Sequence, residues 1–218
     1  MLRFQVRSPL LAFARRLALA AALLVLAAPA LAARTVMVFG DSLSAAYGLA
    51  SSEGWVSLLA GRIDHAGLPW KVVNASVSGE TTSGGLSRLP GDLARHRPSV
   101  VVIELGANDA LRGQPVAQIR ANLERMVRLV RKAGAQPVLV GVMIPPNYGI
   151  DYVTEFHDVY PAVAKREKVP LVPFLLAGIA ERPDLFQSDQ LHPTAAAQPR
   201  IVDNVWATLE PLLRKARS

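Results

Sequence analysis

From Thr35 onward, short β-branched apolar runs alternate with longer segments in which apolar residues recur every three or four positions. No other feature constrains the fold as much. Continuously apolar strands need cover on both faces, and helices threaded between them supply it. The expectation is therefore three-layer α/β/α with a five-stranded parallel sheet. The strand candidates are Thr35 to Phe39, Lys71 to Asn74, Val100 to Leu105, Pro137 to Val142 and a short run at Pro170 to Val172. Between the third and fourth, Val116, Ile119, Leu123, Met126, Val127 and Val130 form one helical stripe. Arg120, Glu124, Arg128 and Arg131 lie opposite, with Glu124 four residues before Arg128, so this basic run reads as a solvated face. A last helix from Pro199 to about Arg214 turns Ile201, Val202, Val205, Trp206, Leu209 and Leu213 inward, and Pro211 is expected to kink or shorten it.

The first 32 residues follow another logic. Met1 to Arg16 carries four arginines and no acid, Leu17 to Val25 is continuously apolar, and Ala30-Leu31-Ala32 places small residues where a signal peptidase reads. The apolar stretch falls short of the roughly 20 residues that span a bilayer, and Pro29 interrupts it. The expectation is a cleaved signal peptide over 1–32, a single domain over 33–218, a periplasmic or secreted product and no stable membrane insertion after cleavage. Cleavage after Ala32 leaves 186 residues, enough for one domain. It also reduces the net charge from +7 to +3, too little to point to a nucleic-acid partner. The chain has no cysteine, which excludes disulfides, Cys-ligated zinc, iron–sulfur clusters and a thiol nucleophile. Walker A and Gly-x-Gly-x-x-Gly patterns are missing as well, so no cofactor is called for.

In sheets of this kind ligands bind beyond the carboxyl ends of the strands. The segments there are Gly40-Asp41-Ser42-Leu43-Ser44, Asn74 to Glu80 and Gly106-Ala107-Asn108-Asp109, followed by Ile144 to Gly149 and, before the last helix, Ser188 to Pro193. Ser42, expected between a strand end and a helix start, can act as a nucleophile whose own N–H helps hold an oxyanion; a plain helix cap is the competing reading. Asp189 and His192 lie three apart on one turn, so a carboxylate can hold the imidazole Nδ1 proton and leave Nε2 as a base. His65 and His96 fall near helix C-termini and His157 within a helix, which leaves His192 as the candidate. Gly79 and Asn108 are candidate oxyanion donors: a glycine N–H approaches without a Cβ in the way, and a carboxamide offers two N–H groups. The loop from Ile144 to Tyr152 should border the same crevice. Its stiff Pro145-Pro146 start and the Pro146, Asn147 and Tyr148 stretch are candidates for substrate binding.

Taken together these segments resemble the SGNH or GDSL hydrolase family. Its blocks are Gly-Asp-Ser-Leu, a glycine in the second block, Gly-x-Asn-Asp and Asp-x-x-His, and the similarity runs from about Arg34 to Leu213. Val73 to Thr81, Val102 to Asp109, Pro145 to Gly149 and Ala197-Gln198-Pro199 are similar to the branch of multifunctional thioesterases, arylesterases and lysophospholipases. The resemblance implies a flavodoxin-like sheet and an exported serine hydrolase that acts on acyl esters and thioesters, lysophospholipids among them, as a monomer and without cofactor. Ser42, Asp189 and His192 would be its triad, and Ser42, Gly79 and Asn108 its oxyanion hole. Two positions depart from the branch: Ala107 stands in place of a second glycine and Glu80 in place of an aspartate.

Three other readings stay open at this level. A carbohydrate acetyl-esterase would share the fold. Asp41, Asp109, Asp189 and His192 could bind a divalent metal for phosphoester hydrolysis, although no His-x-His or His-Glu-x-x-His spacing accompanies them. A lipid- or carbohydrate-binding module without turnover would retain ligand and resist a fluorophosphonate probe. An α/β-hydrolase is disfavoured because the chain contains no Gly-x-Ser-x-Gly.

Overall fold

A computed structural model of the protein describes residues 34–215. The proposed signal segment lies outside them. Five strands form one all-parallel sheet in the order β2-β1-β3-β4-β5: β1 (Arg34–Gly40), β2 (Trp70–Asn74), β3 (Val100–Glu104), β4 (Gln136–Val140) and β5 (Leu171–Val172). Their positions follow the apolar runs. The fourth strand ends at Val140, two residues before the run does, and Val142 is buried in the loop beyond. The centre of the sheet is the driest part: Val36 to Phe39 on β1 and Val101 to Ile103 on β3 are all fully buried, as expected of strands covered on both faces.

The helices are α1 (Trp55–His65), α2 (Thr82–His96), the short α3 (Ala107–Leu111), α4 (Val116–Lys132), α5 (Ile150–Glu167) and α6 (Gln198–Lys215). Helices α1 and α6 pack on each other, against β2 and β5 respectively, while α2, α4 and α5 form a contiguous row. The buried stripe of α4 includes Val116, Ile119, Leu123, Met126, Val127 and Val130, the residues that periodicity selects. The opposite face is not the wholly solvated one that the sequence suggests: Glu124 on it is buried, because arginines from its own helix and from α5 close over its carboxylate. Arg128 pairs with Glu124 and Glu167, and Glu124 also meets Arg166 across to α5.

Pro211 does not end its helix: α6 continues to Lys215. Leu209 and Leu213, one on each side of the proline, are fully buried, and their packing holds the last turns in spite of the missing N–H.

The chain leaves β1 toward β2 on one side and returns from β2 to β3 on the other. The strand order therefore reverses between β1 and β3, and at such a point the loops diverge and open a crevice. Ser42 follows the first of these strands and Asn108 follows the second.

Candidate active site

The crevice is a cleft of about 290 Å³ lined by Ser42, Gly79, Asn108 and His192 together with the apolar side chains of Leu43, Leu111, Met143, Ile144, Leu176 and Leu191. It thus gathers residues from four of the five loops singled out in the sequence, and a fifth supplies its wall. That wall is made by Met143, Ile144 and Pro145. Pro146, Asn147 and Tyr148, the expected substrate-binding residues, form a 3₁₀ turn just beyond it, all three on the surface.

Ser42 does not sit at a helix start. The first helix begins only at Trp55, and residues 41–49 form a series of turns in which Ala46 and Gly48 adopt positive φ, 59° and 74°, which no right-handed helix accommodates. The turn is held from below by carboxyl groups. Asp41 accepts from the Leu43 N–H at 3.0 Å through one oxygen and from Asn108 Nδ2 at 3.1 Å through the other. Glu104, enclosed at the end of β3, accepts from Ser44 Oγ at 2.7 Å and from the Asp41 N–H at 3.4 Å. Burial raises the Asp41 carboxyl to about 6, against the pull of the Leu43 and Asn108 hydrogen bonds. Burial, reinforced by the charge of Asp41, pushes Glu104 well above the usual carboxylate range. Glu104 escaped the sequence reading; its only signal is an acid inside the otherwise apolar run Val100 to Leu105.

The histidine reaches Ser42 from a loop before α6. His192 Nε2 lies 2.8 Å from Ser42 Oγ, and its Nδ1 lies 2.6 Å from Asp189 Oδ2. The other oxygen of Asp189 accepts the N–H groups of Leu191 and His192, both at 3.0 Å. Asp189 is thus an Asx-turn residue and a histidine partner at once, because the turn it closes is what carries the ring back over its own carboxylate. Burial, which would raise the Asp189 carboxyl, is outweighed by hydrogen bonds from the His192 ring and the Leu191 and His192 N–H groups, and it falls to about 2. The ring of Tyr47 rests against the imidazole, centroids 4.3 Å apart, a contact with no counterpart in the sequence reading. Such a series can draw the serine proton onto the imidazole while a carboxylate balances the charge that forms.

Gly79 and Asn108 both line the cleft. Gly79 has φ +78°, and a Cβ there would meet nothing nearer than Arg112 Nη2 at 3.9 Å. The protein leaves room for a side chain; it is the backbone conformation that calls for glycine. Glu80, beside it, binds Arg88, which also donates to the Ala75 carbonyl at 2.7 Å and so ties this loop to α2. Gly106, with φ +126°, is needed for space as well, since a Cβ would lie 2.5 Å from the Tyr160 hydroxyl that donates to the Leu105 carbonyl. Asp109 faces away from the cleft: its two oxygens accept the Thr82 N–H at 2.7 Å and the Thr82 hydroxyl at 2.6 Å, at the start of α2. Asp41, Asp109, Asp189 and His192 are therefore engaged with separate partners, and among the described residues no group of three or more His, Asp or Glu side chains is placed to hold a metal ion.

A flavodoxin-like sheet whose reversal point opens into an apolar cleft with a histidine-paired serine defines an ester hydrolase. The family described as GDSL-like Lipase/Acylhydrolase matches residues 38–199, and the chain belongs to it. Esterase TesA of Pseudomonas aeruginosa is 52% identical over 190 residues, covering 87% of this chain and 94% of that protein. The Escherichia coli protein named thioesterase 1/protease 1/lysophospholipase L1 is 41% identical over 184 residues, 84% of this chain and 87% of its own. A solved structure of the psychrotrophic esterase EstA from Pseudoalteromonas sp., inhibited by monoethylphosphonate, superposes with a TM-score of 0.79 at 41% identity, covering 83% of this chain and 99% of that one.

Proposed function

We propose that the protein is an exported serine hydrolase that transfers the acyl group of esters and thioesters to water through an acyl-enzyme. The observation that carries this reading is the series Ser42–His192–Asp189, at 2.8 and 2.6 Å, opening into an apolar cleft. Ser42 Oγ attacks the acyl carbonyl as His192 Nε2 takes its proton, and Asp189 stabilises the imidazolium. The Ser42 and Gly79 N–H groups and the Asn108 amide receive the oxyanion. Asn108 Nδ2 has two protons; Asp41 engages one and so directs the other. His192 then protonates the departing alcohol or thiol, and a water activated by the same nitrogen releases the acid.

Leu43, Leu111, Met143, Ile144, Leu176 and Leu191 support an acyl chain as the group that fills the cleft. Burial of about 0.8 kcal/mol per methylene raises kcat/KM up to about fourfold per carbon until the cleft ends. The names of the relatives, esterase and thioesterase 1/protease 1/lysophospholipase L1, support both oxygen and sulfur leaving groups. Inhibition of EstA by a phosphonate, a tetrahedral anion, is consistent with a serine adduct held by oxyanion donors. The charged, apolar and Ala-x-Ala order of residues 1–32 supports export, which mass spectrometry tests by finding Ala33 or Arg34 at the native N-terminus.

The deciding experiment is a kinetic panel of p-nitrophenyl esters, acyl-CoAs and lysophospholipids on the protein and on Ser42→Ala, with phosphonate labelling in parallel. Longer acyl donors should exceed acetyl ones, and Ser42→Ala should neither turn over nor label. Equal rates for acetyl and longer donors would shift the reading to a carbohydrate acetyl-esterase, and labelling-resistant ligand retention to a binding module.

A further inference from the structure

Ser42 and His192 are 150 residues apart, on loops from opposite ends of the chain. Apart from their own contact, the hydrogen bond that joins these two loops among the described residues runs from Gln187 Nε2 to the Tyr47 carbonyl, at 2.8 Å. The same nitrogen donates to the Pro193 carbonyl at 3.1 Å, and the Gln187 N–H donates to the His192 carbonyl at 2.8 Å. On the other side, the Tyr47 N–H donates to the Ser42 carbonyl at 3.3 Å. An unbroken path of backbone and amide hydrogen bonds therefore leads from Ser42 through Tyr47 and Gln187 to His192. We propose that Gln187 is a positioning residue that fixes the serine loop against the histidine loop and so sets the Ser42–His192 geometry. This rests on the reading of Ser42 and His192 as the reacting pair.

The chemistry of the position is specific. Two carbonyls from different loops converge on one nitrogen, and a primary amide meets them with two protons and no charge. Glutamate would set a carboxylate against both carbonyls, and leucine would leave them without a donor. The opposing loop is shaped to admit the amide: Gly48 has φ +74°, and a Cβ there would run into Gln187 Oε1. Tyr47 extends the arrangement, because the residue whose carbonyl Gln187 holds is the one whose ring lies against the His192 imidazole. A shift of about 1 Å between reacting groups can cost about a hundredfold in rate, so a clamp at this distance from the serine acts on turnover more than on binding.

The test compares Gln187→Leu, Gln187→Glu and Gly48→Ala with the unmodified protein. Competent serines are counted by the burst of nitrophenol from a p-nitrophenyl phosphonate ester, and melting temperature is measured alongside. Expected is a fall in kcat per titrated serine of about ten- to a hundredfold with KM within about twofold, and a parallel fall in the phosphonylation rate. A lower melting temperature with kcat per titrated serine and phosphonylation rate unchanged would overturn the proposal, since it describes a residue that only stabilises the fold. If Gln187→Leu does not fold, the nearly isosteric Gln187→Glu and the distant-side Gly48→Ala decide in the same way. Failure of the underlying reading shows separately: Ser42→Ala would then still hydrolyse ester and consume phosphonate, whatever Gln187 does.

Discussion

Asp41 and Asp189 are the same residue type on the serine loop and the histidine loop, yet burial raises the carboxyl of the first to about 6 while hydrogen bonds lower that of the second to about 2. Asp41 is 1% exposed just past the end of β1, beside another enclosed acid, Glu104, at the end of the central strand β3, and burial is the main cause of its raised pKa. The Asp189 side chain is 38% exposed on a surface turn, where its ring and backbone donors prevail. The serine side is thus a preformed support in which carboxyl groups hold polypeptide in place, while the histidine side is an open turn in which a carboxylate is held by the His192 ring and by backbone N–H groups. The sheet can supply the first because its centre excludes water. The second needs an ionised acid, and only the surface keeps one ionised cheaply.

The contact between these two regions is broken most directly by Ser42→Ala or His192→Ala. Each should lower kcat/KM by several powers of ten, with the double variant little worse than either, because the pair acts as one unit. Asp189→Ala should cost less than either, because the serine and the imidazole both remain; a loss equal to theirs would show that the pair does not function at all without the carboxylate. Next in size is Asn108→Ala. Removal of one oxyanion donor is worth about 2.7 to 4 kcal/mol, so kcat should fall about 10²- to 10³-fold with KM nearly constant. A rise confined to KM in steady-state kinetics would instead mark Asn108 as a substrate-binding residue.

Smaller effects test the support itself. Asp109→Asn leaves the Thr82 N–H and hydroxyl facing an amide and should destabilise by about 1 to 3 kcal/mol in urea unfolding, with a weaker effect on turnover. The smallest prediction concerns pH. The folded Asp41 carboxyl titrates near 6 against the usual 3.8, so the folded state holds this proton more tightly than the unfolded chain does. Its stabilising contribution is complete below about pH 4 and is lost as pH rises through 6. Asp189, lowered to about 2, contributes in the opposite sense: its share is present above about pH 4 and disappears toward pH 2. Urea midpoints of the unmodified protein should therefore decline relative to Asp41→Asn between pH 4 and 6.5. They should decline relative to Asp189→Asn below pH 4. Parallel curves in either window would remove the contrast between the two acids.

Much of this was legible in the chain. The five strands, the stripe of α4 and the burial of the α6 face, save for the only half-buried Trp206, follow from periodicity, because burying apolar side chains requires it. The loops that line the cleft were legible too, since the reversal of a parallel sheet makes strand ends the place where polar residues converge. Position three residues apart on one turn was enough to bring Asp189 to His192, for that geometry is local. The turn conformation around Ser42, the persistence of α6 past Pro211, and the choice of Met143 to Pro145 over Pro146 to Tyr148 as the cleft wall were not. Each depends on what packs against the segment. The same holds for Glu104, an acid in an apolar run whose partners Ser44 and Asp41 lie 60 and 63 residues away, and for Gln187, whose partner Tyr47 is 140 residues distant. Sequence by itself determined the elements and the residue types that meet at their ends, because period and spacing act within a few residues. Only the tertiary structure decided which carboxyl groups are dry, which are ionised and which amide joins the two loops, because desolvation and hydrogen bonding between distant segments exist only once the sheet has brought them together.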